Sequence, residues 1–363
     1  MTGSPPNSPD MSRAARLARH GSVSTALALF SDRRLAELVE AAPHRGTGVG
    51  GATALLEIEG KRVFVKRVPL TDLERCPENT GSTANVFRLP AFCHYGLGSG
   101  SGFGAWRELA AHVMTTGWVV GGRYEGFPLL HHWRVLAEPV RTPTAGERAE
   151  LEEAAAYWES SPAVRARLEA LASASAAVVL FLEYIQEDVS RWLEAQAARG
   201  GDAAEAACSL LEGELVAGVC FMNANGLLHF DAHFGNILTD GRRIYFTDFG
   251  LAASSRFELS TAERAFLQLN AGHDESYVAR ELVNQLLIAL SRPAGRAELL
   301  DLVRRCARGD FLSGVPEPVA AIVRRHALVA AVMNDFYGRL LGETRTATYP
   351  AADIHRARTS PSV

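Results

Sequence analysis

The hydrophobic pattern places strands early in the chain and helices late. Leu56 and Ile58 alternate with Glu57 and Glu59, a turn follows at Gly60-Lys61, and Val63-Phe64-Val65-Lys66 completes a predicted β-hairpin. An apolar and aromatic stretch at residues 124–135, with His131 and His132 in it, reads as strand-like. Residues 177–182 have a buried-strand pattern that runs into Glu183-Tyr184-Ile185. Elsewhere the period is helical. Two short helices are predicted between about residues 13 and 40, with Gly21 as a break. Residues 105–114 and the charged, Ala-rich 144–173 follow, then 188–198 and 205–225. After residue 250 the pattern is helical at 261–269, 275–290, 297–307 and 319–341, with Pro and Gly marking several ends. Residues 38–43 look helical as well, so no convincing strand precedes Gly46. The expected class is α+β.

Residues 1–12 are rich in Pro and Ser and are expected to lack fixed structure, and the tail from Glu343 is expected to be loosely held. Residues 71–104 carry Gly81, Gly96, Gly98, Gly100, Gly102 and Gly104 among Phe87, Phe92, Tyr95 and Phe103. They read as a long loop insertion, which is either a recognition segment or a surface excursion.

Chemistry concentrates between Gly226 and Ala252. There His229-Phe230-Asp231-Ala232-His233-Phe234-Gly235-Asn236 leads through a predicted hairpin, with its turn at Asp240-Gly241, into Asp248-Phe249-Gly250. The hairpin brings Asn236 and Asp248 side by side at its open end. One carboxylate can face a nucleophile, while a second carboxylate and an amide oxygen suit a hard cation. Upstream, Gly46, Gly48 and Gly51 give G-x-G-x-x-G ahead of the first hairpin, where missing Cβ atoms let backbone amides approach phosphate.

Together these stretches resemble the catalytic core of the kinases, H-x-D-x-x-x-x-N followed by D-F-G. The resemblance implies a two-lobed protein-kinase-like fold with a small β-rich N-lobe and a helical C-lobe. It divides the chain into an extension (1–45), an N-lobe with insertions (46–185), a C-lobe (186–342) and a tail (343–363). It implies that Asp231 accepts the proton of an acceptor hydroxyl and that Asn236 and Asp248 hold Mg2+. Lys66, paired with Glu108, would hold the ATP phosphates under the Gly46, Gly48 and Gly51 amides, and backbone groups of Glu183 and Ile185 would meet the adenine edge. Phe230 stands in place of an arginine that would pair with a phosphorylated activation loop. His233 makes the stretch look more like the aminoglycoside phosphotransferases and related small-molecule kinases, and no A-P-E follows Gly250. D-F-G and the glycine-rich loop look more like protein kinases. The expected activity is transfer of the γ-phosphoryl group of ATP to a hydroxyl on a small molecule, peptide or protein. The alternative is a nucleotide-binding pseudokinase that acts as a regulatory module.

Composition narrows this little further. With 363 residues and 47% hydrophobic content the chain can bury a sizeable core. A net charge of -4 gives no reason to expect nucleic acid or membrane as a partner. The cysteines, Cys76, Cys93, Cys208, Cys220 and Cys306, form no C-x-x-C pair, so neither zinc nor a disulfide framework is indicated and a reducing cytoplasm is expected. No apolar run approaches the ~18 residues of a membrane helix.

Overall fold

The structure is a computed structural model that describes residues 10–48, 51–96, 102–139, 144–310 and 315–359. It is a mixed α+β protein built around one antiparallel sheet and many helices. The chain opens with α1 (Arg13–Ala28) and α2 (Asp32–Ala41), capped by the Ser12 and Ser31 hydroxyls. Gly21 lies inside α1, and the break comes at residues 29–31 instead. A mid-helix glycine costs about 1 kcal/mol, and burial of Val23 and Leu27 outweighs that.

The sheet runs in the order β1-β2-β3-β5-β4, with β1 His44–Gly48, β2 Gly51–Ile58, β3 Lys61–Leu70, β4 Leu130–Ala137 and β5 Ala176–Glu183. A strand therefore does cover Gly46, beginning directly after α2. Glu59 and Gly60 both have positive φ, 49° and 71°, so the β2-β3 turn falls one residue before Gly60-Lys61, as a two-residue primed turn suited to strand twist.

One face of the sheet packs on α1 and α2 through Val23, Leu27, Leu35 and Val39. The other packs on α4 (Ala105–Val120) through Ala105, Trp106 and Leu109. Covered on both sides, all eight residues of β5 are buried, which is why its first seven, Ala176 to Leu182, are continuously apolar rather than alternating.

The described residues of the 71–104 stretch, 71–96 and 102–104, are not a surface excursion. They contain the short helix α3 (Asp72–Arg75) and a 3-10 turn (Ala91–Tyr95), and they bury Leu89, Cys93, Tyr95 and Phe103. His94 stacks on Phe103 at 3.7 Å between ring centres. Residues 144–173 form α5 (Ala145–Tyr157) and α6 (Pro162–Ala172).

Beyond β5 come the short β6 (Glu187–Asp188), α7 (Val189–Arg199), α8 (Gly201–Ala224) and β7 (Leu227–Leu228). Next are β8 (Ile237–Thr239), β9 (Ile244–Phe246), β10 (Ala253–Ser254) and α9 (Thr261–Leu269). The helices α10 (His273–Ser291), α11 (Arg296–Ala307) and α12 (Glu317–Gly342) pack with α8 around Leu211, Leu215, Val283, Leu286 and Val323. The described part of the tail, through Thr359, is not loose. It contains α13 (Ala351–Thr359), with Tyr349 and Ile354 buried and Arg358 paired to Glu275 at 2.6 Å. Among the described residues no helix is long and apolar enough to cross a membrane.

Candidate functional site

The site forms where the β8-β9 hairpin opens toward the sheet. Asp240 Oδ1 accepts the amides of Arg242 and Arg243, and Gly241 takes φ 82°, so the turn spans residues 240–243. Ile237 then pairs with Phe246, and the Thr247 amide donates to the Asn236 carbonyl at 3.0 Å. The hairpin thus brings Asn236 and Asp248 to its open end, as its sequence predicts.

The loop carrying Asp231 is held from beneath by a residue that the sequence pattern does not single out. Asp274, fully buried at the start of α10, accepts the amides of His229 at 2.6 Å and Phe230 at 2.9 Å. These bonds hold Phe230 at φ 63°, and Asp248 also sits in the left-handed region at φ 62°. Two left-handed non-glycine residues beside one cleft mark stored backbone strain, which concentrates at functional sites. His229 Nδ1 accepts the Asp231 amide and Nε2 faces the Thr247 carbonyl at 3.0 Å. That arrangement requires the neutral Nε2-H tautomer, and burial holds the imidazole below its ordinary value.

Asp231 Oδ2 accepts from Asn236 Nδ2 at 3.0 Å, which leaves Oδ1 as the acceptor atom of the Asn236 carboxamide. His233 Nε2 stands 3.9 Å from the same carboxylate. Burial, reinforced by the charge of Asp248, raises Asp231 to about 7. Gly96, from the insertion, closes one side at φ 62°. A Cβ there would lie 3.1 Å from Asp231 Oδ1 and 2.9 Å from Leu251 Cδ1.

On the sheet side, Lys66 Nζ lies 2.7 Å from Glu108 Oε1 and 2.9 Å from Asp248 Oδ1. Glu74 and Glu125 pair elsewhere, with Arg167 and Arg243. Burial opposes the Lys66 charge, but the two carboxylates outweigh it and hold the ammonium above its ordinary value. Burial likewise opposes the Asp248 charge, and Lys66 outweighs it and draws that carboxyl down to about 2. Phe249 is buried between His112 and His229, at 5.0 Å from each ring centre.

Between the sheet and the hairpin lies a cavity of about 480 Å³. Lys66, Asn236 and Asp248 line it, as do Leu182, Glu183 and Ile185 of the strand-to-helix connection. The Glu183 side chain turns away from this role. It is buried against Arg16 of α1, whose Nε and Nη2 donate to its carboxylate at 2.7 to 3.1 Å. The helices before the sheet therefore brace the connection. Gly46, Gly48 and Gly51 flank the β1-β2 turn, with Gly48 opposite Gly51, and Thr53 just beyond them lines the cavity. Residues 49 and 50 at the tip lie outside the described residues.

Among the described residues no group of three or more His, Cys, Asp and Glu side chains could hold a metal ion. Asn236 and Asp248 both line the cavity, and a carboxamide oxygen with a carboxylate ionised at neutral pH is a donor set that suits a divalent cation whose shell phosphate and water oxygens complete.

The raised Asp231 value carries a stability prediction. A carboxyl whose folded value lies above its unfolded 3.8 makes the folded state bind more protons, so stability falls as pH rises from about 4 through about 7. Asp231→Asn removes that contribution. Urea midpoints of the nucleotide-free, metal-free protein should show the variant gaining over wild type at pH 8 relative to pH 5. An equal difference at the two pH values would contradict the assignment.

No family model matches the chain, and no curated protein matches it.

Proposed function

We propose that the chain is a two-lobed, kinase-like phosphotransferase, with the sheet and α4 as its N-lobe and the helices from α7 onward as its C-lobe. The observation that carries this reading is that one cavity is lined by Lys66, Asp248 and Asn236, with Lys66 held between the Glu108 and Asp248 carboxylates and Asn236 hydrogen-bonded to Asp231. Phosphoryl transfer asks a protein chiefly to align two oxygens and neutralise phosphate charge. These five side chains suit that task.

In this reading ATP lies in the cavity, with its base beside the backbone of Glu183 and Ile185 and its phosphates toward Lys66. Asn236 Oδ1 and Asp248 hold magnesium, which supplies charge neutralisation when bound. Lys66 holds phosphate oxygens, and Glu108 orients its ammonium. Asp231, raised to about 7, is placed to orient an acceptor hydroxyl and take its proton. The acceptor oxygen then bonds to the transferred phosphorus while the bridging oxygen departs with the diphosphate. Gly96 stands close against one side of Asp231. The acceptor is a hydroxyl-bearing small molecule, peptide or protein.

The test is magnesium-dependent ADP formation by the purified chain, with Asp231→Ala alongside and mass spectrometry of the protein and of candidate acceptors. Turnover lost in the variant is the expected result. Nucleotide binding without turnover would leave a binding module, and no binding of magnesium-ATP would overturn the reading.

A further inference from the structure

The insertions between β3 and α4 and between β4 and β5 converge on one place, the first turn of α4. Glu74, buried in α3, accepts the Ala105 amide at 2.9 Å through Oε1 and receives Arg167 of α6 at 2.6 Å through Oε2. A carboxylate at a helix N-terminus also complements the dipole there. Gly104 is required by this approach, since a Cβ would stand 2.8 Å from Glu74 Oε1. Trp106 Nε1 donates to the Glu74 carbonyl at 2.9 Å.

One residue further along, Arg107 reaches out of α4 toward the segment that follows Asp248-Phe249-Gly250. Its Nη2 donates to Glu263 Oε1 of α9 at 2.7 Å, and its Nε donates to the Thr83 carbonyl at 2.6 Å. Glu263 is buried and Thr83 half-buried. Glu263 is fixed in turn, because Oε2 accepts the Ser260 amide in a capping box. Phe103 and Phe257 lie at 5.2 and 5.7 Å from the guanidinium carbon. The insertion joins the same segment a second time, where Glu258 accepts Ser82 Oγ and the Thr83 amide.

The neighbour of Arg107 in sequence is Glu108, the partner of Lys66. One helical turn therefore ties the segment after Asp248 to the phosphate-facing lysine. We infer that Arg107, Glu263 and Glu74 are positioning residues that hold α4 with Glu108 against Lys66, and that unmodified carboxylates perform this task without phosphorylation of the segment after Asp248. This inference rests on the phosphotransferase reading for its effect on rate, but its structural part stands apart from that reading.

The experiment pairs kinetics with hydrogen exchange on the full chain. Arg107→Met and Glu263→Gln should each lower kcat for magnesium-dependent ATP turnover by tenfold or more, with a smaller change in KM for ATP. In both, the α4 amides should lose protection while α8 and α10 keep theirs. Arg107→Lys keeps the charge but cannot fork to both Thr83 and Glu263. It provides a milder variant should the others fail to fold, and it should show a smaller loss in the same direction. Phosphatase-treated wild-type protein should turn over at the untreated rate. Wild-type kcat in the variants, unchanged α4 protection, or activity lost on phosphatase treatment and regained with ATP would overturn the inference. Exchange is read without nucleotide, so absence of magnesium-ATP binding by the wild type would sink the phosphotransferase reading alone.

Discussion

Asp231→Asn is expected to lower transfer by about 10²- to 10⁴-fold, the range typical of removing a general base, while magnesium-ATP affinity stays close to that of wild type. The asparagine can still accept from Asn236 Nδ2 through its own Oδ1, so the loop keeps its shape and only the proton-accepting group is lost. Initial rates of ADP formation alongside calorimetric titration with magnesium-ATP would check this. A variant that turns over normally would remove Asp231 from the reaction. One that no longer binds nucleotide would show that the carboxylate supports the cleft rather than the chemistry.

Lys66→Met should act on stability as well as on rate. It leaves Glu108 and Asp248, both within 2.9 Å of the missing ammonium, facing each other with no cation between them. Breaking a buried ion pair by removing one partner costs about 3 to 5 kcal/mol. If the proposed phosphotransferase reading holds, loss of the ammonium should also lower kcat by about 10²- to 10³-fold. The pH dependence separates this cause from simple loss of packing. In the wild type, Asp248 is drawn down to about 2, so its contribution is present above the unfolded carboxylate range and is lost only as pH falls toward 2. In the variant, mutual repulsion raises both carboxyls, and proton uptake on folding restores stability as pH falls from 7 to 5. Urea unfolding at those two values should show the deficit shrinking at pH 5. A deficit that stays constant would point to packing alone.

What could be read from the chain follows from how local each interaction is. The hairpin between Asn236 and Asp248 is legible because period-two alternation and the Asp240-Gly241 turn lie within a dozen residues. The meeting of Lys66 with Glu108 and Asp248 follows from the resemblance rather than from local pattern, since 182 positions separate Lys66 from Asp248. Asp274 escaped notice because its partners are backbone amides 44 and 45 positions away, which leave no side-chain signature. In residues 71–104 the one local signal of order is the capping box of Thr71 and Glu74. The glycines of that stretch suggest freedom, yet Gly96, Gly102 and Gly104 are spaces into which Asp231, the Gly250 carbonyl and Glu74 press closely. The tail misled for a related reason, as α13 depends on packing and on the Arg358 to Glu275 pair rather than on propensity.

The pairing of Arg16 with Glu183 has a consequence for how the molecule is born. The two residues are 167 positions apart, and at roughly 5 to 20 residues per second of synthesis the second follows the first by about 8 to 30 s. Throughout that interval the leading helix carries a guanidinium destined for burial but without its counter-charge. The strands made next expose the apolar face that the helix is meant to cover. Completion of the sheet therefore waits for β5, the interior strand that joins β3 to β4 and the last of the five to leave the ribosome, so β4 has no partner strand until β5 is made.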